Sequence, residues 1–168
     1  MDGFLIEIER SVPALRRYAR GLTGSADRAD DLVQDCLERA LRKRGLFRPQ
    51  GPVQAWLFTI MLNLFRNQVR YRRRQGEPVP LDGLEIELSV AAAQPGRLAL
   101  AETARALDAL PDEQREALLL VVLEGLSYGD CAEILGIPQG TLMSRLARAR
   151  ATLREMTGHG EPHLRSVK

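Results

Sequence analysis

SYGDCAEILGIPQGTLMSRLARARATLR, residues 127–154, reads as two short helices meeting at a tight turn. Ser127 can cap a first helix over Tyr128–Leu135, with Asp130 three residues on as an imperfect capping-box partner. Gly136 suits the position after a helix, where φ must be positive. Ile137 is an apolar plug, and Pro138 pre-sets φ for a new helix start. In the second helix Leu142, Leu146, Ala149 and Leu153 recur at spacings of four, three and four, so they share one face. Ser144, Arg145, Arg148 and Arg154 lie largely off that face. An apolar back, an Arg-bearing front and a short propping helix make the layout of a helix-turn-helix. From this stretch alone, an ordinary helical hairpin with a solvated Arg face stays open as the alternative.

The flanking chain is also helical in pattern. Asp112–Gly125 starts on Pro111 and Asp112, carries Glu113 and Glu116 in its first turn, and shows a broad apolar face of Leu118, Leu119, Val121 and Val122. Arg97–Leu110 precedes it. Upstream, Gln75–Gly96 contains three prolines, three glycines and four acids, which marks a linker and a domain boundary. Within it Leu84, Ile86 and Leu88 alternate with polar residues, a pattern open to a short strand-like segment. The N-terminal part predicts a helix beginning in earnest at Pro13 and running to Leu22, then Arg28–Arg44, a loop Gly45–Pro52, and a helix Val53–Tyr71. The expected fold class is all-α: two small helical domains, 1–74 and 97–156, joined by a flexible linker, 75–96, with a mobile tail, 157–168.

Charge is distributed unevenly although the formal net charge is only +2. Arg66, Arg70, Arg72, Arg73 and Arg74 crowd nine residues without an acid, whereas residues 99–126 hold six acids against Arg105 and Arg115. Asn63, Arg66, Asn67 and Arg70 form an amide-and-guanidinium stripe on one helix, a second candidate nucleic-acid surface. Asp30, Asp31, Gln34, Asp35 and Glu38 crowd one face of the second helix, dense enough to dock a basic partner and suited to the dipole near its N-terminus. Trp56, the single tryptophan, is expected in the core.

Several function classes find no support. There is no Gly-rich phosphate loop, nucleophile elbow or metal-ligand Cys/His spacing; His159 and His163 are separated by Pro162 and have no third ligand nearby. No cofactor, metal or catalytic residue is expected. Two lone cysteines, Cys36 and Cys131, are no disulfide framework and suit a reducing compartment. The acidic N-terminus lacks the form of a signal peptide and no apolar run reaches the ~18 residues of a membrane span, so a cytoplasmic protein is expected.

Four stretches together resemble the bacterial extracytoplasmic-function (ECF) RNA polymerase sigma factors: ADRADDLVQDCLERAL (26–41), QAWLFTIMLNLFRNQVR (54–70), LPDEQREALLL (110–120) and SYGDCAEILGIPQGTLMSRLARAR (127–150). RADDLVQ and AWLFTI are closest in flavour to the alphaproteobacterial stress-response group. The resemblance implies a non-enzymatic specificity subunit whose partners are core RNA polymerase, promoter DNA and an anti-sigma factor. Asp31, Gln34 and Asp35 match the segment that docks on the polymerase β′ clamp. The loop Phe47–Val53 matches the one that captures a flipped base of the −10 element, and Asn63, Arg66, Asn67 and Arg70 match the helix facing that strand. Gln139–Arg150 matches the helix entering the −35 major groove: Ser144, Ala147 and Arg148 toward bases, Gln139, Thr141 and Arg145 at the backbone or as buttresses. Met143 departs from the pattern, standing where the family commonly has Lys or Arg, and the loop carries more proline than usual. A stand-alone helix-turn-helix regulator, or a sigma-like mimic that titrates an anti-sigma factor, are the competing readings.

Overall fold

A computed structural model describes residues 2–48, 51–76 and 95–158, the side chains of 95–100 excepted. Among the described residues the chain forms seven α-helices and no strand: α1 Gly3–Thr23, α2 Ala26–Arg42, α3 Val53–Arg74, α4 Pro95–Ala109, α5 Asp112–Glu124, α6 Tyr128–Leu135 and α7 Gln139–Thr157, with one 3-10 turn at Arg44–Leu46. The expected alternating segment at 84–88, the two histidines and the tail from 159 lie outside the described residues.

Local chemistry sets the helix limits. Asp2 accepts the Phe4 amide and so starts α1 ten residues earlier than Pro13 had suggested. Pro13 sits inside α1 because both it and Glu9, whose carbonyl loses its helical donor, face solvent, where water serves instead. Gly24, at φ 67, closes α1, and Ser25 caps α2 by accepting the Arg28 amide at 3.4 Å. α3 continues three residues past the expected Tyr71, to Arg74.

The first three helices pack on one another, and α4–α7 form a second bundle. The first core is Leu15, Tyr18, Ala19, Leu32, Cys36, Leu57, Phe58 and Met61, all fully buried; the second centres on Leu120, Cys131, Leu142 and Leu146. The two cores are continuous. α1 lies along α5, and α3 lies against α6. This explains α5, whose buried residues run unbroken from Arg115 to Leu120. A helix buried nearly all round lies between two partners rather than against one. One face of α5 meets α6 and α7, the other meets α1. Val122, read from the sequence as part of the apolar face, is instead 64% exposed at the far end.

Candidate nucleic-acid interfaces

The helix-turn-helix forms as its local signals direct. The Ser127 hydroxyl accepts the Asp130 amide at 3.1 Å, and Gly136 takes φ +67 after α6. The amides of Gly136 and Ile137 then reach back to the carbonyls of Glu133 and Ala132, which turns the chain into α7. Leu142, Leu146 and Ala149 are buried. Gln139, Met143, Ser144, Ala147 and Arg148 are exposed on the other side. Thr141 and Arg145 are half-buried; the Arg145 guanidinium lies 3.6 Å from the Glu113 carboxylate of α5, which ties α7 to the helix behind it. Ser144 donates to the Gly140 carbonyl at 3.1 Å, and Arg148 has no ion-pair partner among the described residues.

The stripe on α3 is only partly free. Asn63, Asn67 and Arg70 are exposed. Arg66 is not: its Nε and Nη2 both reach the Glu116 carboxylate of α5, at 3.2 and 2.8 Å, and the Glu116 side chain is 3% exposed. That hydrogen bond raises the Arg66 pKa above its ordinary value, so the guanidinium stays charged. The pairing spans fifty residues and had no local signal.

The loop before α3 is built on aromatics. Phe47 is half-buried, with Phe4 and Trp56 at ring-centroid distances of 5.4 and 5.3 Å. Arg44 stands over the Phe4 ring at 5.7 Å and pairs with Asp2. Trp56 is thus half-buried at the surface end of the core rather than inside it. Phe4 and Trp56 belong to this site, and sequence reading missed them because only the packing of α1 against α3 brings them to Phe47. An open recess of about 330 Å³ lies here, lined by Phe47, Trp56 and Thr59 on one side and Asp130, Glu133 and Ile134 of α6 on the other.

On α2, Asp31, Gln34 and Asp35 are exposed beside Asp27 and Asp30, with Gln34 donating to Glu38 at 3.2 Å. Both cysteines are buried, and each donates to a main-chain carbonyl, Cys36 to Leu57 and Cys131 to Leu126. No group of three or more His, Cys, Asp or Glu side chains among the described residues is placed to hold a metal ion, and no described helix is long and apolar enough to cross a membrane.

Two helical domains, one of them a helix-turn-helix with an exposed polar front, have the layout of a DNA-binding protein. The domain family described as "Sigma2 domain of PhyR" matches residues 8–62, and "Sigma-70, region 4" matches residues 100–153. The chain is 47% identical over 153 residues to the ECF RNA polymerase sigma factor EcfG of Rhodopseudomonas palustris, covering 90% of this chain and 83% of that one. It is similar in fold to the sigma factor RpoE of Bartonella quintana, solved with the anti-sigma factor NepR, at TM-score 0.78 and 39% identity over 96% of this chain and all (100%) of that chain. CnrH, solved with the cytosolic domain of CnrY, is similar at TM-score 0.69 and 28% identity, covering 94% and 89% of the two chains. The chain belongs to the ECF RNA polymerase sigma factor family, and it is a sigma factor that directs core RNA polymerase to promoters.

Proposed function

We propose that this sigma factor divides promoter reading between its two bundles. α7 enters the −35 major groove with Ser144, Ala147 and Arg148 toward base edges and Gln139, Thr141 and Arg145 at the backbone or behind the helix. The observation that carries this is the partition of α7 itself: Leu142 and Leu146 fully buried, Arg148 exposed without an ion-pair partner among the described residues. With Met143 exposed where the family commonly offers a cation, the groove contact there is apolar, and base choice leans on Arg148.

The first bundle takes the −10 element. Phe47, backed by Phe4 and Trp56, offers an aromatic wall for an unstacked base, and Asn63, Arg66, Asn67 and Arg70 offer amides and guanidinium groups to the displaced strand. Asp31, Gln34 and Asp35 dock the polymerase clamp. These assignments rest on exposure, on chemistry and on membership of the family. The protein has no catalytic role of its own and acts in the cytoplasm, where polymerase is. Control by an anti-sigma factor is proposed because the related RpoE was solved with the anti-sigma factor NepR.

Run-off transcription with core polymerase and a library of host promoter fragments tests the reading. Transcripts that require this protein, and are lost with Arg148→Ala or Asn63→Ala at unchanged core binding, are the expected result. Core binding without any transcript points to a mimic; no core binding, with a symmetric footprint on DNA alone, points to a stand-alone regulator.

A further inference from the structure

We propose that Met143, with Ala147 one turn on, reads thymine methyl groups in the −35 element, so that part of this protein's promoter choice is apolar. This rests on the −35 assignment of α7 above. In the stretch 139–150 the exposed positions are Gln139, Gly140, Met143, Ser144, Ala147 and Arg148. Residues four apart are neighbours on a helix surface, so these six form two parallel ridges. Gln139, Met143 and Ala147 make one; Gly140, Ser144 and Arg148 make the other. Leu142, Leu146 and Ala149 are buried behind them and fix the rotation of α7. A groove that receives one ridge therefore receives both.

The two ridges differ in chemistry. Ser144 gives its proton to the Gly140 carbonyl at 3.1 Å, which leaves its oxygen an acceptor for a base amino group, and the Arg148 guanidinium is a donor. Met143 and Ala147 offer no side-chain donor and, in the Met143 sulfur, only a weak acceptor. Met143 is 52% exposed, a long unbranched side chain held out from the helix. In the major groove adenine, guanine and cytosine present nitrogen and oxygen atoms, whereas thymine adds a C5-methyl group. Over the first three, Met143 expels water and returns no good hydrogen bond, which is unfavourable. Over a thymine methyl it buries apolar surface on both partners. The same side chain thus favours one base and disfavours three.

Spacing narrows the sequence that fits. Four residues of helix rise about 6 Å and stacked bases lie about 3.4 Å apart, so thymines under Met143 and Ala147 lie within about two base steps of each other. Arg148 directly follows Ala147, which sets the guanine it grips beside the thymine under Ala147. A cation at position 143 would hold a phosphate and carry no sequence information. Met143 gives up that general affinity in return for choice among bases.

The test uses holoenzyme, core polymerase with the full chain, and a promoter recovered by run-off. Unlabelled promoters compete with the fluorescein-labelled one. Each −35 thymine in turn is replaced by deoxyuridine, which deletes the methyl group and keeps the base pair. At one or two positions, within about two base steps, deoxyuridine is expected to weaken competition about fourfold. With Met143→Ala or Met143→Gln, thymine and deoxyuridine are expected to compete equally at one of those positions; circular dichroism checks that each variant is folded. Cytosine in place of that thymine weakens competition by wild-type holoenzyme, and 5-methylcytosine restores part of the loss. A −35 element without thymine overturns the methyl reading. So does competition indifferent to deoxyuridine at every position, or a deoxyuridine effect that Met143→Ala leaves intact. If Arg148→Ala binds the promoter as wild type does, the −35 assignment itself has failed. Weakened binding by Arg148→Ala beside indifference to deoxyuridine sinks the methyl reading alone.

Discussion

Tyr18 of α1 donates its hydroxyl to the main-chain carbonyl of Glu116 in α5 at 3.0 Å, across ninety-eight residues of chain, with its ring fully buried. The ring stacks edge-on to Phe58 at 5.3 Å, so a residue of the first core is also a strut to the second domain. Burial, and then the charge of Glu116, push its pKa well above the ordinary phenolic range.

Tyr18→Phe keeps the ring and deletes this one bond. The Glu116 carbonyl lies inside α5 and keeps its helical donor, so the expected cost is that of a single hydrogen bond, about 0.5–1.5 kcal/mol. Urea unfolding followed by tryptophan fluorescence checks it. A cost above about 3 kcal/mol would show that the hydroxyl does more than bridge the domains.

Two glycines of the helix-turn-helix respond in opposite senses to alanine. Gly136, at φ +67, has open space around its missing Cβ, so Gly136→Ala pays only in backbone strain, about 1–2 kcal/mol. Gly129 lies within α6 with only the Ser127 hydroxyl near, at 3.9 Å, so Gly129→Ala stabilises by about 0.4–1 kcal/mol. Thermal melts of the pair decide; equal shifts would contradict the assigned turn.

The two sides of α7 separate stability from recognition. Leu146→Ala opens a cavity at a fully buried position and is expected to cost about 2–5 kcal/mol. Arg148→Ala and Met143→Ala, on the exposed side, are expected within about 0.5 kcal/mol of wild type. Chemical denaturation reads stability. Promoter discrimination, measured separately, is expected to fall by about 1–3 kcal/mol for Arg148→Ala.

The cysteines predict alkaline sensitivity. Burial pushes the Cys36 thiol from an ordinary 9.0 to about 12, and burial with Asp130 pushes Cys131 to about 11. A raised folded-state value means the neutral thiol is favoured by folding. The contribution is complete below pH 9 and is lost as pH rises toward 12, by up to about 4 kcal/mol for Cys36. Stability measured against pH is expected to fall less steeply above pH 9 in Cys36→Ala. Neither thiol is expected to react with dithiobis(nitrobenzoate) at pH 8 until urea is added; rapid labelling of the native protein would overturn the burial argument.

What the residues settle by themselves is short-range. The cap at Ser127, the left-handed Gly136, the Pro138 start and the spacing of Leu142, Leu146 and Ala149 act within a turn or two of helix, and the structure keeps each of them. Residue pattern gave two helical domains and two candidate nucleic-acid surfaces, and the resemblance of residues 26–41, 54–70, 110–120 and 127–150 to a known family placed the chain among sigma factors. Where local signals competed, sequence reading erred: Pro13 looked like a helix start, because nothing nearby reveals that solvent would replace the lost donor to Glu9. Tertiary packing alone decided that Trp56 joins Phe4 and Phe47 at the surface, that α5 is buried on both sides, and that Arg66 meets Glu116 instead of open solvent. Those partners lie far apart in the chain, and the energy of joining them belongs to the packed arrangement. Helical periodicity reports which face is apolar, but it carries no record of which other face will cover it.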